Sequence, residues 1–417
     1  WVTMADWGST PSHLAYSTDA GLSWVAAGIT LPDDQSLDQH VSLAGDEAGN
    51  IYTVFPYSQD IQLRKVNFPA QSQTDKDPVR LVSAGAGSAA GPRANVMIQP
   101  SNQRLWVFTR ESYIPSQNVR YHYSDNDGVS WTRGVADPTF ADQVRIGSMP
   151  YVNGQPALVV LYLGSSLGFK YYMWNGTAFE ARPDAQIFAG NVGFDRAFTH
   201  NVVAGDVFHL IFENGDNLHH CWKSYNGGTG AWNQAIIDTT PYETGTTGWE
   251  VASVARGNEL VLFYRKLTSA DTSSGEIYCR VWSQDQQAWS GSQLVSSGVG
   301  GSNHWPNTAM SVPQNCSTIP VVWSSVDATE DGNIWSNRIT LPPPGPCCVG
   351  LRGNVNAVGI TDLSDLSALV SFLTGATTYV GCPEGANVNA QGIIDLSDLS
   401  MLIAYLTGAG TTLPQCP

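Results

Sequence analysis

Residues 119–131 read VRYHYSDNDGVSW, and this stretch decides the architecture of most of the chain. Val119, Tyr121 and Tyr123 alternate with Arg120 and His122, the period of a strand with two unlike faces. The chain then turns. Ser124 and Asn126 can hydrogen-bond turn backbone, Gly128 supplies a positive φ, and Trp131 packs back between sheets. The same frame, S-x-[DN]-x-G-x-x-W, recurs at Ser17, Asp19, Gly21 and Trp24.

The hairpin belongs to a repeating unit of about 50–57 residues. Each unit opens on a short mixed segment, such as ANVM from Ala94 or VASV from Val251. A strongly apolar segment follows: IYTVFPY from Ile51, LWVFTRE from Leu105, ALVVLYL from Ala157, VFHLIFE from Val207, LVLFYRK from Leu260 and IPVVWSS from Ile319. An alternating aromatic segment comes third, as in FKYYMW from Phe169, and a polar fourth closes the unit. Four strands at this period predict a mainly β chain, a β-propeller over residues 1–341. Six units plus a partial one at 1–28, which lacks a first strand, predict seven blades, with six as the alternative. The last unit has no obvious fourth strand, so an edge is left open to pairing in trans.

Composition agrees. Only 13% of the 417 residues are charged, while Gly (41), Trp (14) and Tyr (16) are plentiful, which favours short strands and tight turns over helices. The formal charge is −16 and Lys occurs five times, which argues against a nucleic-acid partner. No apolar run approaches the roughly 20 residues of a membrane span. No leader precedes Trp1-Val2-Thr3-Met4, and a processed or trimmed start is expected.

The S-x-[DN]-x-G-x-x-W frame resembles the Asp-box, or BNR repeat, of sialidase-like propellers. The resemblance implies a structural role for Ser17, Asp19, Gly21, Trp24, Ser124, Asn126, Gly128 and Trp131. Sialidases hold the substrate carboxylate with three arginines and use a Tyr-Glu nucleophile pair with an acidic acid/base. Arg93, Arg145 and Arg196 each stand just before a first strand, with Glu250, His40 and His304 at comparable places. Arg93, Arg145, Arg196 and Glu250 are therefore the catalytic candidates. The family's Arg-Ile-Pro motif and a Tyr-Glu pair are missing, however, so the sequence favours a protein that is not an enzyme. Trp7, Tyr113, Trp249 and Trp305 sit in turn-like contexts where aromatic rings can stack on sugars or, more plainly, pack between blades. His219-His220 reads as strand packing. Asn175 and Asn315 begin N-x-[ST] sequons.

Beyond 341 the chain changes character. Residues 342–346, PPPGP, form a stiff linker, and 347–417 contain one motif twice. NVNAVGITDLSDLSALVSFLTGATT from Asn354 is matched by NVNAQGIIDLSDLSMLIAYLTGAGT from Asn387, offset by 33 residues. The spacing is that of a 12-residue calcium loop feeding a helix. The ligands would be Asn354, Asn356, the Ile360 carbonyl, Asp362 and Asp365 in the first loop. In the second they would be Asn387, Asn389, Gln391, the Ile393 carbonyl, Asp395 and Asp398. Val358 cannot coordinate through its side chain. The following helices are expected to bury Leu363, Leu366, Leu369, Val370 and Leu373, and Leu396, Leu399, Leu402, Ile403 and Leu406.

This duplicated segment resembles a type I dockerin. The resemblance implies calcium as cofactor, a small α-helical domain, and a cohesin-type partner facing Leu363-Ser364 and Leu396-Ser397. Cys347, Cys348, Cys382 and Cys416 bracket the repeats, so two disulfides are expected, with three possible connectivities. A zinc site is the alternative, disfavoured because no His lies nearby. Disulfides imply an extracellular or cell-surface setting. The expected function is non-enzymatic assembly or adhesion, the terminal module joining the propeller to a neighbouring copy or to a scaffold. The alternative is a glycan-binding propeller, or a sialidase-type glycoside hydrolase, tethered to a cohesin scaffold.

Overall fold

The alternating segments become strands, and in the computed structural model the strands assemble into seven sheets. The residues described lie within 2–416; the longer connections 32–41, 77–92, 111–117, 138–143, 190–197, 225–231, 240–248, 268–274, 298–301, 342–347 and 375–381, and a few shorter stretches, lie outside them. The fold is mainly β, a β-propeller, with three short helices near the C-terminus. The third sheet shows the pattern: Arg93–Gln99, Arg104–Arg110, Val119–Ser124 and Thr132–Asp137 follow one another as antiparallel neighbours.

Six sheets begin on an inner strand: Ser42–Gly45, Arg93–Gln99, Val144–Val152, Phe198–Val203, Glu250–Arg256 and Ser302–Asn307. Each of these packs against the next in the series. The first sheet (Val2–Met4, Ser12–Tyr16, Val25–Leu31) carries its S-x-D-x-G-x-x-W turn before its last strand, so among the described residues it has no inner one. The seventh (Ser302–Asn307, Thr318–Val326, Gly332–Thr340) has three strands and, among the described residues, no outer one. Seven complete blades, the first choice from sequence, are not what the described residues form: six inner strands are present, beside a three-stranded first sheet.

The cores lie between consecutive sheets. Between the third and fourth, Trp106 and Phe108 meet Tyr121, Leu158, Tyr172, Trp174 and Phe179, all buried. Burial of each such side chain is worth roughly 1.5–3 kcal/mol. The first sheet joins the second through Leu14, Ala27 and Ile29 against Ile51, Phe55 and Val66. It meets the seventh where the Ser336 hydroxyl donates to the Gly21 carbonyl at 3.5 Å.

The turn at Ser124–Trp131 bolts two sheets together. Ser124 Oγ accepts from Gly128 N (2.8 Å), and Asn126 Oδ1 accepts from Ser130 N (2.9 Å). Trp131 Nε1 donates to the Lys76 carbonyl (3.2 Å), on the end of the second sheet. Asp127 receives Tyr52 OH, Lys65 Nζ (3.1 Å) and Lys76 Nζ (2.8 Å), also from that sheet. In the first copy, hydrogen bonds from Ser23 and Ser17 hold the Asp19 carboxyl down to about 2. Gly128 has φ +78°, and a Cβ there would stand 3.0 Å from Lys76 Cβ. Gly128→Ala is therefore expected to cost about 1–3 kcal/mol, read from the midpoint of denaturant unfolding.

The C-terminal segment has its own small core: Val355, Leu369, Ala386, Val388, Leu402 and Leu413. Cys348 and Cys416 form a disulfide, Leu351 bridges Gln415 beside it, and Cys382 is disulfide-bonded to a partner outside the described residues. Cys221, Cys279 and Cys316 are free thiols. The helices run Leu363–Leu373 and Leu396–Leu406. Their expected buried stripe is narrower than the sequence suggests. Leu369 and Leu402 are buried, and Leu366, Leu373, Leu399 and Leu406 pack at the margin, but Leu363, Val370, Leu396 and Ile403 are exposed. At about 100° per residue, positions 366, 369 and 373 share one face while 363 and 370 lie to its side. An 11-residue helix with one helical neighbour covers only the first of these.

Candidate functional site

Two places gather groups that could act: the duplicated loops, and the beginnings of the inner strands. In the first loop, Asp362 caps its helix, accepting from Ser364 N (2.7 Å) and Ser364 Oγ (2.6 Å). Hydrogen bonds from Ser364 hold its carboxyl below the usual range. Asp365 is buried and accepts from Val355 N (2.7 Å), Asn356 N (3.0 Å) and Asp362 N (2.8 Å). Burial raises its carboxyl pKa against those hydrogen bonds.

The second loop repeats this. Asp395 accepts from Ser397 N (2.7 Å), and buried Asp398 accepts from Asn389 N and Asp395 N (both 2.9 Å). Gln391 N donates to Asn387 Oδ1 (3.0 Å) and Asn389 Oδ1 (2.7 Å). Asn356 Nδ2 donates to Ser364 Oγ, as Asn389 Nδ2 does to Ser397 Oγ.

A calcium loop of this length needs the twelfth residue to turn both carboxylate oxygens to the ion. Here backbone N–H groups hold both oxygens of Asp365 and of Asp398. As arranged, the loops do not fit a bidentate twelfth ligand; the buried carboxylate organises the loop backbone instead. Asn354, Ile360 and Ile393 lie outside the helices, in the segments that lead into them.

Beside each loop stands an exposed apolar triplet. Ile360, Leu363 and Val370 are 80%, 70% and 39% exposed, and their counterparts Ile393, Leu396 and Ile403 are 79%, 69% and 42%. The paired exposures are nearly equal, as a duplicated segment leads one to expect.

At the propeller, Arg93 opens its strand opposite Arg110, and Arg145 is the second residue of Val144–Val152, opposite Leu161. They therefore lie within their strands, where the sequence pattern put them just before. Arg196 and His40 lie outside the described residues, as do Trp7 and Tyr113. Glu250 begins Glu250–Arg256 and is buried. Trp249 is buried in the core between the fifth and sixth sheets, so it is packing and not a sugar platform. His220 is buried too, bonded to His209 and packed among Trp222, Trp282 and Trp289.

Glu250 and His304 do come together. His304 Nδ1 lies 3.1 Å from Glu250 Oε1, and His304 Nε2 lies 2.8 Å from Ser302 Oγ. Arg265, opposite Glu250 on the next strand, donates Nη2 to Ser302 Oγ (3.1 Å) and Nε to the Asn303 carbonyl (2.9 Å). Arginine only donates, so Ser302 Oγ and the Asn303 carbonyl accept from Arg265, and Ser302 passes the contact on to His304 and Glu250. The other Glu250 oxygen accepts from the backbone N–H of Trp305.

That tryptophan occupies a bulge: His304 pairs with Ser324 and Asn307 with Val322, one residue more on its side. Its φ is +49°, a conformation that costs a bulky residue about 1–3 kcal/mol. The chain of bonds holds this strained position. Ser302 and Arg265 carry no signal in the sequence because nothing local links them to Glu250.

No protein-family profile matches the chain, and no curated protein sequence matches it. Solved structures do. The chain is similar to the BP39L lectin from Burkholderia pseudomallei, with TM-score 0.50 and 13% identity over 80% of this chain and 91% of that one. A fungal lectin from Aleuria aurantia, described as a six-bladed β-propeller, aligns at TM-score 0.46 and 11% identity over 74% of this chain and 97% of its own. A polysaccharide lyase that acts as an ulvan lyase aligns at TM-score 0.45 and 12% identity over 79% and 88%. At such identities the common feature is the propeller fold. Among the described residues no helix is long and apolar enough to cross a membrane.

Proposed function

We propose that this chain is a secreted, non-enzymatic connector: a propeller of the Asp-box type presenting a broad surface, joined through 342–346 to a dockerin-like module at 347–417 that docks onto a neighbouring protein. The observation that carries this reading is the apolar triplet made twice, Ile360, Leu363 and Val370 with Ile393, Leu396 and Ile403. Three large apolar side chains beside a polar loop form the anchor of an interface, and their duplication lets either half engage. The occupant we favour is the propeller of a second copy. Among the described residues its first and seventh sheets have three strands each, and a contact that does not close on itself builds filaments. A cohesin-like scaffold is the competing partner. Calcium enters this reading only as a loop ion, and docking through apolar side chains does not require it.

The test is size-exclusion chromatography and negative-stain imaging with calcium or with chelator. The native chain should self-associate in both. Leu363→Asp with Leu396→Asp should weaken association at least about tenfold, since interface anchors are commonly worth that much. Either single substitution should leave most of it. A strictly monomeric chain in both conditions would sink self-assembly.

A second reading, glycan binding by the propeller, is supported by the fold shared with a lectin propeller.

A further inference from the structure

Of the two sugar-platform candidates among the described residues, Trp249 is buried and Trp305 is exposed, and the setting of Trp305 is unusual enough to ask what it serves. It is 37% exposed, on the inner strand of the seventh sheet, at the bulge described above. A bulky side chain at φ +49° immediately before Pro306 persists only where its surroundings impose it. Those surroundings are specific: the buried Glu250 carboxylate from the neighbouring sheet takes the Trp305 N–H, and His304 lies tilted beside the indole at 5.3 Å between ring centroids. His304 is in turn fixed at both nitrogens by Glu250 and Ser302. Trp249, Trp282 and Trp323, by contrast, are buried in cores between sheets.

We propose that Trp305 is the stacking platform of a glycan subsite at the inner strands of the sixth and seventh sheets, with a pyranose ring as ligand. This rests on the glycan-binding reading of the propeller. A pyranose has an apolar C–H face and a rim of hydroxyls, and it meets an exposed indole by the first and polar neighbours by the second. An aromatic ring already locked in place loses little freedom on binding, which is what a shallow site needs to gain affinity. His304 stands beside the indole, hydrogen-bonded to Glu250 and Ser302, and a polar neighbour fixed in this way favours a sugar over an apolar protein surface. Glu250 is a positioning residue: it sets the backbone of Trp305 through the N–H it accepts.

The test is calorimetry of the full chain against a panel of neutral and uronic-acid oligosaccharides, with thermal unfolding alongside. Trp305→Ala should lower affinity for the best ligand at least about tenfold, and Trp305→Phe should retain most of it. Trp305→Gly is the sharpest variant. Glycine accepts positive φ without strain, so unfolding temperature should hold or rise while affinity falls as in the alanine variant. Glu250→Gln, which keeps an acceptor for the Trp305 N–H, should bind better than Glu250→Ala. If glycans bind and Trp305→Ala and Trp305→Gly bind equally well, the subsite is wrong and the glycan reading stands. If no glycan binds the native chain, both fail. If a protein partner, and no glycan, shields Trp305 from oxidation, the platform serves a protein and the proposal is overturned.

Discussion

Asp365→Ala or Asp398→Ala is expected to destabilise the C-terminal segment by about 3–5 kcal/mol, enough to open it at room temperature. Each carboxylate is buried and serves as acceptor for backbone N–H groups drawn from the loop and from the cap of its own helix. Alanine removes the acceptor and leaves those donors without partners inside a core of only six fully packed side chains. Asn keeps one oxygen and should cost less than alanine.

Burial raises the Asp365 carboxyl, so its linkage runs opposite to that of an ordinary paired carboxylate. The folded pKa lies above the unfolded one, and the stability this adds is present below the unfolded value and lost as pH rises through the folded one. Hydrogen exchange of the helices Leu363–Leu373 and Leu396–Leu406 in the intact chain reads the effect directly. Amides as protected in Asp365→Ala as in the native chain would refute the assignment.

The second large effect is acid softening of the propeller. His209 and His220 stack with Nδ1 of the first 2.8 Å from Nε2 of the second, and Trp289 Nε1 donates to His220 Nδ1 at 3.2 Å. Since the indole only donates, His220 carries its hydrogen on Nε2 and gives it to His209, whose own Nε2 has no partner. Burial holds His209 down to about 3 and His220 well below its usual value, and burial with the nearby Arg133 and Arg120 holds His122 down to about 3.

Folded pKa values lie below the unfolded 6.5, so this stability is present above 6.5 and lost as pH falls from there towards about 3. Each such histidine contributes a slope of about 1.4 kcal/mol per pH unit, or about 2 kcal/mol between pH 6.5 and 5. Thermal midpoints of the propeller transition should therefore drop steeply below pH 6.5. Replacing both stacked rings, His209→Phe with His220→Phe, should flatten that drop. Midpoints that stay level from pH 7 to 5 in the native chain would contradict the neutral, buried state.

Much of this molecule is local in origin. The turn frame at Ser124 is legible because its hydrogen bonds close within eight residues, and Gly128 adopts the positive φ that the frame requires. The 33-residue repeat is legible for the same reason: Asp362 and Asp395 cap helices whose first residues follow immediately. Alternation alone places most strands and hence the propeller.

Other features depend on which sheet lies beside which. Nothing near Glu250 announces Ser302 or Arg265, because the next sheet delivers Ser302 with His304 and the adjacent strand delivers Arg265. Trp249 and Trp305 stand in similar turn-like contexts, yet one lies in a core between sheets and the other on a bulge in the open. Helical periodicity cannot tell Leu366 from Leu363, since the difference is how much of an 11-residue helix its single helical neighbour covers. Turns and caps follow from the chain alone, because their partners are a few residues apart. Which side chains meet and which are left to solvent depends on contacts such as Arg265 with Ser302, 37 residues apart, and Glu250 with His304, 54 apart, which only packing brings together.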